Sequence, residues 1–145
     1  GQFMPSSYRE YAVDMDGDGR RDLWTSLADV IGSVANYLHR HGWQAGQPVA
    51  SRAGVSEGAD MDLVSRSRLK PEKTVAELAE QGFVPVDAVP ASTPAAVTRL
   101  REEAGDSYWM TFDNFYVITR YNRSPLYAMA VYDLSEAILA THGEP

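Results

Sequence analysis

The 145-residue chain has no cysteine, which excludes disulfides, thiolate metal sites and a cysteine nucleophile together. That absence fits a reduced cytosol and a bacterial envelope equally, so it leaves the compartment open. No apolar run approaches the roughly 20 residues that a membrane span requires. Positive charge is scarce: 13 lysines and arginines face 20 aspartates and glutamates, for a net charge of −7. Nucleic acid and anionic lipid would therefore find no broad cationic face. The opening stretch GQFMPSSY lacks the ordered charge, apolar run and small residues of a leader and reads like interior sequence. No internal repeat or low-complexity stretch is present. What remains is an ordinary globular composition, 44% hydrophobic and 23% charged, at the length of one domain. Partners should be neutral, or held by local charge.

The most distinctive stretch is DMDGDGRRDLW, residues 14–24. Asp14, Asp16 and Asp18 alternate with small spacers, as the first three ligands of a tight calcium loop do. Three carboxylates this close repel one another, and a divalent cation removes that cost. Gly17 and Gly19 permit the turns that aim the side chains inward. Arg20 would offer its carbonyl at the seventh position, and Asp22 would act at the ninth, commonly through water. The twelfth position, where a bidentate carboxylate should close the shell, is Thr25. Ser26 reads as the N-cap of the helix that follows, which puts Asp29 at N3, facing back toward the loop. Asp29 is the expected closing ligand, displaced by an insertion. In the plainer reading it is only the partner of Ser26 in a capping box, and the loop a solvated acidic turn. Similar loops occur in β-propeller repeats, but there they recur between strands. Here the loop occurs once and runs into a helix.

Periodicity supplies the frame. Residues 5–13 suggest a short helix, with Ser7 and Glu10 at capping-box spacing. Leu27, Val30, Ile31, Val34, Ala35 and Leu38 recur at offsets of three and four, predicting an amphipathic helix that stops at Gly42. Residues 44–112 break into short pieces. Thr74 to Glu77 is a capping box opening a helix that ends near Gly82, and GFVPV (82–86) reads as a strand with an edge-type proline. Residues 93–105 are ambiguous. Thr93, Pro94 and Gly105 bracket a helix, yet VTRLR alternates and SYWMTF (107–112) is rich in strand formers. Local pattern favours helix there. Asp113 or Asn114 should cap the next helix. Ser124-Pro125 should start the last, with Tyr127, Ala130, Val131, Leu134 and Ile138 on its apolar face and Gly143 past its end. His39, His41 and His142 lack partner spacing and read as surface histidines.

Three blocks, GQFMPSSYREYAVDMDGDGRRDLW, ADVIGSVANYLHRHGW and NFYVITRYNRSPLYAMAVYDLSEAI, closely resemble the lytic murein transglycosylase B family, in that family's order. The resemblance implies an α+β chain: part of a lysozyme-like helical core with an EF-hand-like calcium loop and an inserted small β-rich domain. Residues 1–43 and 113–145 would belong to the core, and 44–112 to the insertion. That favours a hairpin over a helix at 96–112. It also implies cleavage of the β-1,4 link between N-acetylmuramic acid and N-acetylglucosamine in peptidoglycan, in a bacterial periplasm or at the outer membrane. In that chemistry the muramyl 6-hydroxyl, not water, attacks and leaves a 1,6-anhydro product. One glutamate serves as acid and then as base, which needs a raised pKa in a partly apolar cleft.

In the family that glutamate lies on a helix preceding GQFMPSSY, and none of this chain's glutamates sits in its motif. No catalytic residue is therefore expected here, and the isolated chain should be inactive; the missing N-terminal part of the same enzyme is an expected partner. What the resemblance carries over is the wall of the sugar groove: Gln2, Tyr37, Tyr121 and Asn122. Aromatic faces stack on sugars and amides bond their hydroxyl and N-acetyl oxygens. Phe3 and Tyr127 read as core. Tyr37, at the edge of the apolar stripe, should be half-buried with its hydroxyl exposed. Calcium should be structural. The rival reading is a non-catalytic, calcium-dependent glycan-binding module. A third is a remnant exposing a large apolar patch.

Overall fold

A computed structural model describes residues 4–65 and 69–142. Gln2 and Phe3, and the helix stop expected at Gly143, lie outside the described residues. The chain forms two compact units, Gly1–Gln44 and Ala45–Pro145.

In the first unit, α1 (Pro5–Tyr11) begins with Pro5 in its first turn and Met4 as N-cap, where proline's fixed φ suits helix entry. The helix therefore starts ahead of Ser7, and the Ser7–Glu10 capping box does not form. The second helix, α2 (Leu27–Arg40), is capped by Ser26, whose Oγ accepts the Asp29 amide at 3.2 Å. It ends before Gly42, whose φ of 99° suits a residue without a Cβ.

The face that α2 buries is not the expected stripe. Leu27 and Ile31 are 72% and 61% exposed, whereas Asp29, Gly32, Ser33 and Tyr37 are buried. Main chain explains the reversal. The segment packed on α2 presents amides and carbonyls, and polar side chains at helical spacing satisfy them. Ser33 Oγ accepts the Val13 amide (2.9 Å), and Asn36 Nδ2 donates to the Tyr11 carbonyl (2.9 Å). Gly32 lets that segment come close: a Cβ there would sit 3.0 Å from Met15 Cβ and 3.1 Å from Val13 Cγ2.

The second unit is built on a five-stranded antiparallel sheet of β1 (Ala50–Val55), β2 (Lys73–Thr74), β3 (Phe83–Pro85), β4 (Pro94–Glu102) and β5 (Gly105–Thr111), in the order β2-β4-β5-β1-β3. The ambiguous segment is thus a hairpin, with Thr98 opposite Trp109 and Glu102 opposite Gly105. The helical reading of 93–105 fails because its bracketing residues serve strands equally well. Alternation decides: Ala95 and Val97 share a face with Met110, and all three are buried. With Val64, Val75, Leu78, Phe83 and Phe112 they form the core.

Two short helices, α3 (Met61–Ser65) and α4 (Val75–Glu80), supply Val64, Val75 and Leu78. The Thr74–Glu77 capping box opens α4 as expected. Pro85 lies on edge strand β3. Its flanking residues Val84 and Val86 pair with Gly54 and Arg52 of β1, so the missing N–H of proline falls on the outward side.

Helix α5 (Asp113–Tyr121) is capped by Phe112, not by Asp113 or Asn114. Asn114 is buried one step later, and its Nδ2 donates to the Gln47 carbonyl at 3.2 Å. The last helix, α6 (Pro125–His142), starts as expected, with Ser124 Oγ accepting the Tyr127 amide at 3.2 Å. Its expected apolar face is largely exposed. Ala128 and Met129 are buried, while Leu134 and Ile138 are 62% and 51% exposed. The cause is that α6 packs against α5 and β4 near its start, and every described residue from Asp133 onward is exposed. Exposed apolar side chains, one expectation of the remnant reading, are therefore present on both α2 and α6.

Candidate functional site

In the loop between α1 and α2, the backbone folds around its own carboxylates. Asp14 accepts the amides of Gly17 (2.8 Å), Asp18 (3.2 Å) and Gly19 (2.8 Å). Asp16 accepts the Asp18 amide (3.2 Å) and the Ser26 hydroxyl (2.6 Å), and Asp18 accepts the Arg20 amide (2.8 Å). Gly17 and Gly19 hold φ of 78° and 86°, which side chains with a Cβ rarely tolerate. The result brings carboxylate oxygens of Asp14, Asp16 and Asp18 within 4.8 Å of one another, all exposed. Three negative charges at that separation favour a cation between them. An all-oxygen donor set suits a hard ion such as calcium or magnesium rather than a soft one. The residues present fit such an ion.

Asp29 is fully buried behind this cluster, and its carboxylate does face back into the loop. Oδ1 accepts the amides of Met15 (2.7 Å) and Asp16 (3.3 Å), and Oδ2 accepts that of Asp22 (2.8 Å). The Asp22 amide foremost, aided by those of Met15 and Asp16, holds the Asp29 carboxyl below its usual pKa against the opposing effect of burial. Asp22 turns its carboxylate the other way, accepting the Trp24 (2.8 Å) and Thr25 (3.0 Å) amides and the Thr25 hydroxyl. The Thr25 hydroxyl is the main cause of its lowered pKa. Neither Asp22 nor Asp29 belongs to the converging trio.

The tyrosines expected to face sugar sit in different settings. Tyr37 is 8% exposed, not half-buried. It stacks on His41 at 4.0 Å between ring centres and meets Tyr11 edge-on at 4.9 Å. His41 Nδ1 lies 2.8 Å from the Tyr37 carbonyl, so His41 belongs to an aromatic cluster, while His39 and His142 are exposed. Burying the Tyr37 ring between two others satisfies more apolar surface than the edge of a helical stripe would. Tyr121, at the end of α5, is partly exposed and stacks with Tyr127 at 6.4 Å. Asn122 follows as C-cap and accepts the Ser124 amide on Oδ1 at 3.1 Å.

Sequence reasoning missed Ser33 and Asn36. The signal was available: Asp29, Ser33, Asn36 and Tyr37 recur at the same spacing as the apolar residues. Every glutamate among the described residues is exposed, and none lies in the apolar setting that keeps a carboxyl protonated near neutrality.

A family model described as the transglycosylase SLT domain matches residues 1–136. The chain belongs to that family. It is 44% identical over 139 residues to the membrane-bound lytic murein transglycosylase B of Escherichia coli (strain K12), covering 95% of this chain and 37% of the relative. The Escherichia coli lytic transglycosylase Slt35, solved in complex with calcium, superposes with a TM-score of 0.81 at 40% identity, over 99% of this chain and 44% of that one. Pseudomonas aeruginosa SltB3, solved with a NAG-NAM-pentapeptide, gives 0.76 at 34% identity, over 90% of this chain and 35% of that one. The chain thus spans less than half the length of each. This transglycosylase-family chain shares its mixed helix-and-strand fold with those lysozyme-like enzymes. Among its described residues no helix is long and apolar enough to cross a membrane.

Proposed function

We propose that this chain is the metal-bearing, glycan-lining part of a peptidoglycan lytic transglycosylase of the bacterial envelope. The carrying observation is the converging Asp14, Asp16 and Asp18 cluster in a chain whose relatives include a murein transglycosylase and a calcium-bound one. Calcium would be held by those three carboxylates and the Arg20 carbonyl, with Asp22 at the ninth position and Asp29 closing the shell from behind. Direct ligation by Asp29 would exchange its bonds to the Met15, Asp16 and Asp22 amides for the ion. The ion supplies a fixed positive centre that locks the loop; it is structural in this reading. The inserted β-rich domain is residues 44–112, between core segments 1–43 and 113–145.

The proposed reaction breaks the β-1,4 MurNAc–GlcNAc bond while the muramyl 6-hydroxyl closes on its own C1. The leaving oxygen takes a proton from one carboxyl group, and that group then takes the hydroxyl proton. Gln2, Tyr37, Tyr121 and Asn122 would line the groove, with amide donors and ring faces suited to a neutral polysaccharide. The exposure of every described glutamate supports a proton-transfer group contributed from outside this chain, and hence no cleavage by the chain alone. The same observation favours the second reading, a calcium-dependent glycan-binding module. Mass spectrometry of sacculi digested with this chain and with a full-length relative tests both. The expected result is 1,6-anhydro-muropeptides from the relative only. Anhydro products from this chain would overturn the assignment of its role, and absent glycan binding would overturn both readings.

A further inference from the structure

The sheet face opposite the Phe83–Met110 core carries an arrangement that neither the acidic loop nor the tyrosines use. The strand register sets Val86, Arg52, Trp109 and Thr98 in one row across β3, β1, β5 and β4. In the adjoining row Val84 lies opposite Gly54, and Leu100 opposite Ser107. Arg52 is exposed and lays its guanidinium over the Trp109 ring, 4.9 Å from the ring centre. The indole is itself fixed, because its N–H donates to Ser107 Oγ (3.2 Å), which donates to Glu102 (2.9 Å). Val84 and Val86 are 52% and 73% exposed. Between them and the indole, Gly54 leaves a notch, where an added Cβ would meet only the Val84 carbonyl, at 3.6 Å.

Three features restrict the occupant. The guanidinium already covers one face of Trp109, so the ring is a poor open platform for sugar stacking. Among the described residues no carboxylate lies within ion-pair distance of Arg52, whose guanidinium sits over the ring in a chain of net charge −7. A guanidinium set over an aromatic ring keeps N–H groups on its outer side, a fork suited to a carboxylate. Finally, the exposed valines and the glycine notch accept small apolar side chains but offer no hydrogen-bonding side chain to a hydroxyl-rich ligand.

We propose that this face binds the peptide portion of peptidoglycan, with a peptide carboxylate forked by Arg52 and a small apolar side chain seated over Gly54 between Val84 and Trp109. The inference rests on the peptidoglycan reading above and adds a substrate determinant to it. It predicts that the chain distinguishes peptide-bearing glycan from bare glycan.

The test titrates the whole chain with three disaccharides: GlcNAc–MurNAc carrying its peptide, the same disaccharide stripped of peptide, and a form with the peptide carboxylates amidated. Calorimetry gives affinity, and the Trp109 indole N–H resonance, assigned with Trp109→Phe, reports the site. The peptide-bearing form should bind about twofold to fivefold more tightly than the other two, the upper range of an exposed ion pair, and should alone move the Trp109 signal. Arg52→Ala and Arg52→Gln should erase that preference and leave affinity for bare disaccharide unchanged; circular dichroism checks that both fold. Equal binding of all three, or a preference that survives in Arg52→Ala, overturns the inference while leaving glycan binding in place. If no disaccharide binds, the glycan reading fails and the free peptide decides. A Trp109 shift in wild type that Arg52→Ala abolishes sustains the peptide site, and no shift ends it.

Discussion

Asp29 Oδ2 accepts the amide of Asp22 at 2.8 Å, so a helix residue grips the far end of the acidic loop through its main chain. With Oδ1 on Met15, one buried carboxylate spans the loop from both sides. The grip is made by protein atoms alone. Asp29→Ala should therefore lower the melting temperature in excess chelator as well as in calcium, because three loop amides would lose their buried acceptor. In chelator Asp22→Ala should cost less, since its own carboxylate bonds only the turn at 24–25; in calcium it would also lose the ninth-position ligand. Calorimetry of both variants in each condition checks this; equal losses in chelator would refute the spanning role.

Metal itself should act by mass action. Calcium at one hundred times its dissociation constant stabilises a folded site by about 2.7 kcal/mol. Chelation should therefore lower the transition by a matching amount. Asp14→Asn, Asp16→Asn or Asp18→Asn should shrink the calcium-dependent shift. A transition indifferent to both calcium and chelator would remove the cation from the proposed function.

Gly32→Ala sets two effects against each other. Alanine gains up to about 1 kcal/mol of helix propensity. Against that, its Cβ would meet Met15 Cβ at 3.0 Å and Val13 Cγ2 at 3.1 Å, and overpacking costs about 1–3 kcal/mol. Crowding should win, with a net loss on the order of 1 kcal/mol in chemical denaturation. A stabilised variant would show that the loop segment yields freely.

The Thr74–Glu77 box should leave a trace in the acid limb of stability. The Thr74 amide, then its hydroxyl, holds the Glu77 carboxyl below its usual value of 4.5. A depressed carboxyl means that the folded state binds fewer protons there, so its contribution is complete above that value and fades as pH falls through the folded pKa. Glu77→Gln should flatten the fall of melting temperature with pH below 4.5 relative to wild type. Thr74→Ala should cost about 1 kcal/mol at neutral pH, the usual weight of an N-cap.

Tyr121 and Asn122 should matter to ligand rather than to fold. Asn122→Ala should weaken glycan binding about threefold to tenfold, the loss of one hydrogen bond, with Tyr121→Ala acting in the same direction. Titration with peptide-free GlcNAc–MurNAc measures it. Unchanged affinity in both variants would exclude them from the groove.

How far the sequence reveals this molecule depends on what each signal measures. Three caps were legible, Ser26, Thr74 with Glu77, and Ser124, all acting through side chain and backbone within three residues, whereas the box at Ser7 and Glu10 and the cap expected at Asp113 or Asn114 did not form. Asp14, Asp16 and Asp18 were legible for the same reason, since their spacing alone makes them converge. Hydrophobic periodicity misled on α2 and α6, because it reports a face that prefers burial without saying what packs there. On α2 the packed face instead serves main-chain donors, and only Asp29, Ser33 and Asn36 reveal it. The 93–105 segment shows the other limit. Its bracketing residues suit helix and strand alike, and only pairing with 107–111 resolves it.

Pro85, on the rim of the sheet, has a wider consequence. The opposite rim is only partly covered, because the two-residue β2 pairs with Pro94 and Ala95 at the start of β4. Free donors along an edge strand are where a second copy can add by backbone pairing, and at β3 the proline removes one of them. With Pro85 blunting β3, any ribbon-like growth between copies is confined to the stretch of β4 beyond Ala95, so the two margins of the sheet are unequal.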